Sequence, residues 1–301
     1  MASVIPGKAL APKALVAELS RPGPYPVLRG ELALVGLPGV VFTPESGAGL
    51  PAVAFGHDWL QPAARYLGLL RHLASWGIVA AAPDTQRGPF GSHRALAHDL
   101  RTALEVCSGV RLGGTARGAA VSVDPGRLGV AGHGMGAGSA VLAAAVPAAD
   151  TQVQAVGEPY WEVGRGVAVQ AVATVALTDT RPSAVEAARA VHLPGLHLAF
   201  GKDLVSPPAA GAELLDTAWA GESSLRTLKK ATHLGLLEGR HWSDVLLDGK
   251  GENATRTLVR ALLTGFLLHR LNGDGRYAAA FDGGVKGTEV RTSEAGHRLE
   301  D

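Results

Sequence analysis

Cysteine is almost missing from this chain, since Cys107 is the only one among 301 residues. A single thiol cannot form an intrachain disulfide, and zinc sites built on several cysteines are excluded too. We therefore expect a cytoplasmic location or another reducing compartment. The first residues, MASVIPGKALAPKALVAELS, lack the apolar core of a secretory signal, although they leave import into an organelle open.

The chain also lacks an excess of charge of either sign and any long apolar run. It has 28 Lys and Arg against 27 Asp and Glu, which gives a formal net charge of +1. Such a balance provides no global field that would attract nucleic acid or an anionic membrane. No apolar run reaches the roughly 20 residues of a membrane-spanning helix. We therefore expect no nucleic-acid partner and no membrane span.

The chain is rich in apolar residues, and they recur in a regular pattern along the sequence. Hydrophobic residues make up 47% of the sequence, enough for a large core. Short apolar runs such as LPAVAFGH (50–57) and IVAAAPD (78–84) alternate with longer segments of helical periodicity, such as 62–76. This alternation predicts an α/β fold with a mostly parallel sheet and helices on both faces.

One domain accounts for most of the chain. We expect an irregular N-terminal segment over 1–29, the α/β domain over 30–282 and a C-terminal tail over 283–301. Within the domain, ELALVGLPGVVFTPES (31–46) predicts two short strands separated by a turn, and 252–272 predicts a long final helix.

The most informative stretch is VDPGRLGVAGHGMGAGSA (123–140), in which a strand, a glycine turn and an Ala-rich helix follow one another. This segment resembles the nucleophile elbow of α/β-hydrolases, in particular cutinase-like polyester hydrolases and dienelactone-hydrolase-like esterases. Elbows of this type carry Gly-x-Ser-x-Gly, with the serine on a strained turn. Here the corresponding residues are Gly132-His133-Gly134-Met135-Gly136, so that Gly134 stands where the serine is expected.

Further stretches share the resemblance in the same order along the chain. AVAFGHDW (52–59) resembles the oxyanion loop, AFGKDLVSPP (199–208) the loop of the catalytic acid, and KKATHLG (229–235) the loop of the catalytic histidine. GFLLHRLNGDGRYAAAF (265–281) is similar to the final helix of these enzymes. The resemblance covers roughly residues 30–282 and implies the α/β-hydrolase fold.

The resemblance also implies a role for each matching residue. His233 is the expected base, and Asp203 is the expected acid, within hydrogen-bonding reach of His233. Asp179, after the preceding strand, is the alternative acid. Gly134 has no side chain, so no acyl-enzyme can form at that position.

Backbone and aromatic groups complete the expected site. The N–H groups of His57 and Met135 are the expected oxyanion donors, and backbone donors do not depend on the side chain. Trp59, Tyr160 and Trp161 are candidates for the lining of a pocket mouth at the carboxyl ends of the strands, where open α/β sheets bind ligands.

Metal and cofactor sites have weaker signals. His57, Asp58 and His233 could be considered as metal ligands, but their spacing fits no standard motif. The glycine turn 132–138 lacks the Gly-Lys-Ser/Thr ending of a phosphate-binding loop. We expect neither a metal nor a cofactor.

Three hypotheses for function follow, and they leave open whether the chain is an enzyme. The first is a pseudoenzyme that binds a small ester-like or acyl-like ligand or a protein partner. The second is a serine carboxylesterase or dienelactone-type hydrolase inactivated by an engineered Ser→Gly change. The third is a non-covalent enzyme that uses His233 as base. If only the hydroxyl is missing, Gly134→Ser should restore hydrolysis of short acyl esters.

Overall fold

A computed structural model describes residues 8–113, 120–146, 166–245 and 250–293 of the chain. The strands are β1 (Val27–Glu31), β2 (Gly39–Pro44), β3 (Leu50–Gly56), β4 (Val79–Pro83), β5 (Val123–His133), β6 (Val169–Val175), β7 (Gly195–Phe200), β8 (Ser223–Leu228) and β9 (Thr288–Ser293). The helices are α1 (Pro12–Leu19), α2 (Leu67–Ser75), α3 (His93–Gly109), α4 (Met135–Ala145), α5 (Ala184–Ala188), α6 (Ala212–Ala218) and α7 (Asn253–Asn272).

The nine strands form one sheet in the order β1-β2-β4-β3-β5-β6-β7-β8-β9. The six central strands, from β4 to β8, are all parallel, whereas the pairs β1–β2, β2–β4 and β8–β9 are antiparallel. The fold is therefore α/β with a mostly parallel sheet, as the sequence predicted. Parallel strands have their carboxyl ends at one edge of the sheet, which we call the carboxyl edge.

Two hydrophobic cores cover the two faces of the sheet, because successive strand residues point to opposite faces. In β3, for example, Val53 and Phe55 pack in the core formed with α1, α2 and α7, whereas Ala52 and Ala54 pack in the core formed with α3 to α6. Among the described residues, no helix combines the length and the apolar character needed to cross a bilayer.

Three local predictions differ from the structure. The segment 1–29 was expected to be irregular, but Pro12–Leu19 forms α1, whose Leu15 and Leu19 are buried against the core. The expected tail 283–301 contains β9, which adds an antiparallel edge strand to the sheet. The first strand predicted within 31–46 is instead a 3₁₀ turn over Leu32–Val35, and β1 lies before it.

Cys107 offers a direct test of this packing. It lies on α3 with no exposed surface, and burial raises the pKa of its thiol to about 12. Since the thiolate is the reactive form, we expect no alkylation of the native chain by iodoacetamide at about pH 8. The same chain in denaturing urea should take up one equivalent, as measured by mass spectrometry. Rapid alkylation without urea would contradict the packing of α3.

Candidate functional site

A tight turn joins β5 to α4 at the centre of the carboxyl edge. Gly134 adopts φ 53° and ψ −115°, a conformation that side chains other than hydrogen adopt only at a cost. Gly132 and Gly136 have no room for a side chain. A Cβ on Gly132 would lie 2.1 Å from the carbonyl oxygen of Gly136, and a Cβ on Gly136 would lie 2.2 Å from the backbone of Gly56. Glycine therefore lets the elbow pack directly on β3.

His233 and Asp203 meet beside this elbow. His233 follows β8 and Asp203 follows β7, and the His233 Nδ1–Asp203 Oδ2 distance is 2.7 Å. The other carboxylate oxygen of Asp203 accepts hydrogen bonds from the N–H groups of Val205 and Ser206, at 2.9 and 2.8 Å. It is thus Asp203 that lies beside His233, whereas Asp179 has an exposed side chain that accepts a hydrogen bond from the next N–H.

Asp58 occupies the place in which a serine side chain would lie. It follows β3, and its Oδ2 lies 2.9 Å from His233 Nε2, while its Oδ1 accepts a hydrogen bond of 2.9 Å from the N–H of Met135. A Cβ built on Gly134 would be 1.8 Å from Asp58 Oδ1 and 2.3 Å from its Cγ. The absence of a side chain at Gly134 is therefore what makes room for the carboxylate of Asp58.

Every polar atom of Asp58 has a partner. Its N–H donates to the hydroxyl of Tyr66 at 3.1 Å, and its carbonyl oxygen accepts from the N–H of Gln61 at 3.0 Å and lies 2.8 Å from Nδ1 of His57. Since side-chain rotation would break the bonds to both His233 and Met135, the carboxylate is held in one position.

A second histidine, His133, contacts the backbone of His233. His133 Nε2 donates to the carbonyl oxygen of His233 at 3.0 Å, because that oxygen can only accept. His133 Nδ1 is then the acceptor for the hydroxyl of Tyr66, at 2.9 Å. Burial lowers the pKa of His133 to about 4, which keeps this ring neutral. The hydrogen bonds thus connect Asp58, Tyr66, His133 and His233 in a ring.

Electrostatics fixes the protonation of His233. Burial by itself lowers the pKa of this histidine, but the charge of Asp58 and the hydrogen bonds that His233 donates to both carboxylates outweigh burial and raise the pKa to about 10. Burial likewise raises the pKa of Asp58, yet the positive charge of His233 and its hydrogen bond hold that pKa well below its usual range. At neutral pH the site is an imidazolium between two carboxylates.

The site is closed to solvent. The side chains of Asp58, Asp203 and His233 are 2%, 0% and 0% exposed. The N–H of Met135, one of the two predicted oxyanion donors, is occupied by Asp58. The ring of His57 lies between the carbonyl oxygens of Asp58 and Thr85, and the role of its N–H as the second donor stays a prediction.

Asp58, His133 and His233 bring potential metal-ligating atoms within 4.8 Å of one another. This group contains His133 in place of the His57 that the sequence suggested. Both ring nitrogens of His233 face carboxylates, and both ring nitrogens of His133 already have hydrogen-bond partners. A cation would have to displace these bonds, so we interpret the group as a hydrogen-bonded network.

The aromatic residues predicted at a pocket mouth are described only in part. Tyr160 and Trp161 lie outside the described residues. Trp59 is 37% exposed, and its Nε1 donates to the carbonyl oxygen of Pro89 at 3.1 Å, which connects the loops that follow β3 and β4. Its role as a pocket residue stays a prediction.

Asp58 is the residue whose position the sequence analysis missed. From the sequence it was considered only as a possible metal ligand with His57 and His233, and nothing local in GHDW indicates that its side chain reaches the elbow. The available signal was indirect: an acidic residue stands in the segment that resembles an oxyanion loop, and glycine stands at position 134. The carboxylate of Asp58 fills the volume that a Cβ at position 134 would need.

Comparisons with known proteins add no family assignment. No family model matches the chain, and no curated protein matches its sequence. The nine-stranded, mostly parallel sheet is compatible with the α/β-hydrolase fold, and the narrower resemblance to cutinase-like and dienelactone-hydrolase-like esterases stays a prediction.

Proposed function

We propose that this chain is a non-hydrolysing protein of the α/β-hydrolase type, in which a catalytic site has become a closed structural network. The observation that carries the proposal is the position of Asp58. Its carboxylate bonds to His233 Nε2, where a nucleophile would be activated, and to the N–H of Met135, where an oxyanion would be stabilised. One side chain thus blocks both functions.

The state of His233 supports the same conclusion. A general base needs a free lone pair at the operating pH. The pKa of His233 is raised to about 10, and its Nε2 donates to Asp58. This argues against the hypothesis that His233 acts as the base of a non-covalent enzyme.

The space at Gly134 argues against an esterase inactivated by a recent Ser→Gly change. A serine Cβ at this position would overlap Asp58 Oδ1, at 1.8 Å. To admit a serine, the carboxylate of Asp58 would have to turn away and give up its hydrogen bonds to His233 and Met135. The same overlap disfavours a small acyl ligand at the elbow and favours a binding role carried by the surface of the molecule.

Covalent labelling tests the proposal. We expect the native chain to give no adduct with a fluorophosphonate probe and no burst of product from p-nitrophenyl acetate, because no activated hydroxyl lies beside His233. Ser139 is the nearest serine along α4, and its hydroxyl donates to the carbonyl oxygen of Met135 within the buried helix. The heat-denatured chain is the control for nonspecific reaction. Stoichiometric labelling of the folded chain at any serine would overturn the proposal.

A further inference from the structure

The exposed apolar side chains of this protein are distributed unevenly. Twelve large apolar residues are substantially exposed among the described residues. Three of them, Tyr25, Val110 and Val146, lie at the edge of the sheet where the parallel strands begin, and Leu214 lies on α6. Eight lie in segments at the carboxyl edge: Leu34, Val35, Trp59, Phe90, Leu204, Val205, Trp242 and Val245. Single apolar residues scattered over a surface are normal, but eight at one edge of the sheet indicate a site of interaction.

The topology explains why these segments share one edge. The loops after β3, β4, β7 and β8 leave from the carboxyl ends of parallel strands. The 3₁₀ turn Leu32–Val35 reaches the same edge because β2 runs opposite to β4 and begins beside its end, with Gly39 paired to Pro83. The hydrogen bond from Trp59 to Pro89 places the loop of Phe90 next to that of Trp59.

Four of these side chains are exposed over most of their surface. Phe90 is 98% exposed, Val245 89%, Leu204 76% and Trp242 64%. Such exposure of aliphatic and aromatic tips is costly in water, about 25 cal/mol for each Å² of apolar surface. It is the arrangement expected of groups that enter an apolar medium.

The exposed charged residues at this edge are mostly basic. Two exposed acidic residues at this edge are paired: Glu31, before the turn Leu32–Val35, with Arg29, and Glu289, at the start of β9, with Lys229. In segments 57–66, 84–94, 176–183, 201–211 and 229–245, Asp179 is the only exposed acidic residue. The other acidic groups there are partly or fully buried, and several pair internally, such as Asp244 with Arg65 and Glu238 with Arg260. The exposed basic residues of the same segments are Arg87, Arg94, Arg181, Lys202, Lys229, Lys230 and Arg240. A net charge of +1 for the whole chain therefore conceals a basic edge.

We propose that the carboxyl edge of the sheet docks on the surface of an anionic lipid bilayer. The apolar tips enter the boundary between headgroups and acyl chains, and the basic residues around them bind the anionic headgroups. Nucleic acid would account for the basic residues, but Phe90, Leu204 and Val245 would then stay in water. The inference goes beyond the non-hydrolysing role and does not depend on it, since these side chains lie outside the Asp58 network.

Vesicle co-sedimentation of the full chain tests the proposal. We expect the chain to bind extruded vesicles of phosphatidylcholine and phosphatidylglycerol in equal amounts, and to bind phosphatidylcholine vesicles far more weakly. Phe90→Glu should lower the partition coefficient about tenfold or more, because it removes an aromatic ring that would enter the bilayer. Lys202→Glu combined with Lys230→Glu should lower it about fivefold for each position, with added salt acting in the same direction.

Matched variants at the opposite edge provide the controls. Val110→Glu and Arg111→Glu change an exposed apolar and an exposed basic residue there and should leave vesicle binding unchanged. Circular dichroism and melting curves establish that each variant folds. Absence of binding to the anionic vesicles would overturn the proposal, and so would equal losses in the control variants. Binding to duplex DNA that exceeds vesicle binding and ignores Phe90→Glu would also overturn it.

Discussion

Gly134→Ser alone is expected to leave the chain inactive towards short acyl esters, whereas Gly134→Ser combined with Asp58→Ala is expected to gain activity. This reverses the simple expectation from the sequence, in which serine alone restores hydrolysis. Serine at 134 must displace the carboxylate of Asp58, which is held by His233 and Met135. Overpacking of this kind costs about 1–3 kcal/mol, and breaking the buried ion pair adds to the cost.

The double variant removes both obstacles. Alanine at 58 frees Nε2 of His233 and the N–H of Met135, and His233 keeps Asp203 as its only carboxylate partner. With one charge gone, the pKa of His233 falls towards its ordinary range and the ring can accept the serine proton. We expect p-nitrophenyl acetate hydrolysis at least about 10²-fold above that of the parent chain, together with stoichiometric fluorophosphonate labelling at position 134.

Two further variants control this experiment. Asp58→Ala alone opens the site without a nucleophile and should show no labelling. Adding His233→Ala to the double variant should abolish the gain, since the serine then has no base. A folded double variant without turnover or labelling would mean that the site differs from a serine-hydrolase site by more than Asp58 and Gly134.

The second large effect concerns the dependence of stability on pH. The pKa of His233 is raised to about 10 in the folded chain, against an ordinary value of 6.5. Its stabilising contribution is therefore fully present below about pH 6.5 and is lost as the pH rises towards 10. The free energy of unfolding should fall over this range by up to about 1.4 kcal/mol per pH unit from this group.

Asp58 has the opposite dependence at low pH. Its pKa is held below the ordinary value of 3.8, so its contribution is present above that value and is lost as the pH falls further. Urea unfolding across the pH range measures both limbs of the stability curve, namely the fall in the free energy of unfolding at alkaline pH and its fall at acidic pH. In Asp58→Asn the alkaline limb should flatten, and stability at neutral pH should fall by about 3–5 kcal/mol, because His233 loses one of its two buried carboxylate partners.

Asp179→Asn is the matched control for that variant, because Asp179 is an exposed carboxylate at the same edge of the sheet. It should change the free energy of unfolding by no more than about 0.5 kcal/mol and keep the alkaline limb. An alkaline limb of the same slope in Asp58→Asn would contradict the assigned protonation of His233.

The parts of the fold that could be predicted are those with a strong local pattern. The helical periodicity of 252–272 corresponds to α7, and the glycines after β5 indicate the turn at Gly134 because no other residue fits their close contacts. The 3₁₀ turn Leu32–Val35 was mistaken for a strand because it is a short apolar run followed by a turn signal, although Leu34 and Val35 are exposed. There the tertiary position overrides the local preference.

The site was only half predictable for a different reason. Loop motifs indicate that Asp203 and His233 occur in the right order, but a motif contains no information on which other side chain turns inward. Asp58 reaches His233 only because β3 lies next to β5 in the sheet and glycine leaves the volume free. Such a contact follows from packing between distant segments.

The distance along the chain between these partners has a consequence for the lifetime of the folded state. Asp58 is 77 residues from Met135 and 175 residues from His233. We expect these side-chain contacts to form only once β3, β5 and β8 are in place, because the loops that carry Asp58, Met135 and His233 leave from the ends of those strands. Interactions made after the folding transition state slow unfolding and leave the folding rate nearly unchanged. We therefore expect the buried carboxylate of Asp58 to slow unfolding and so to lengthen the time that the molecule stays folded.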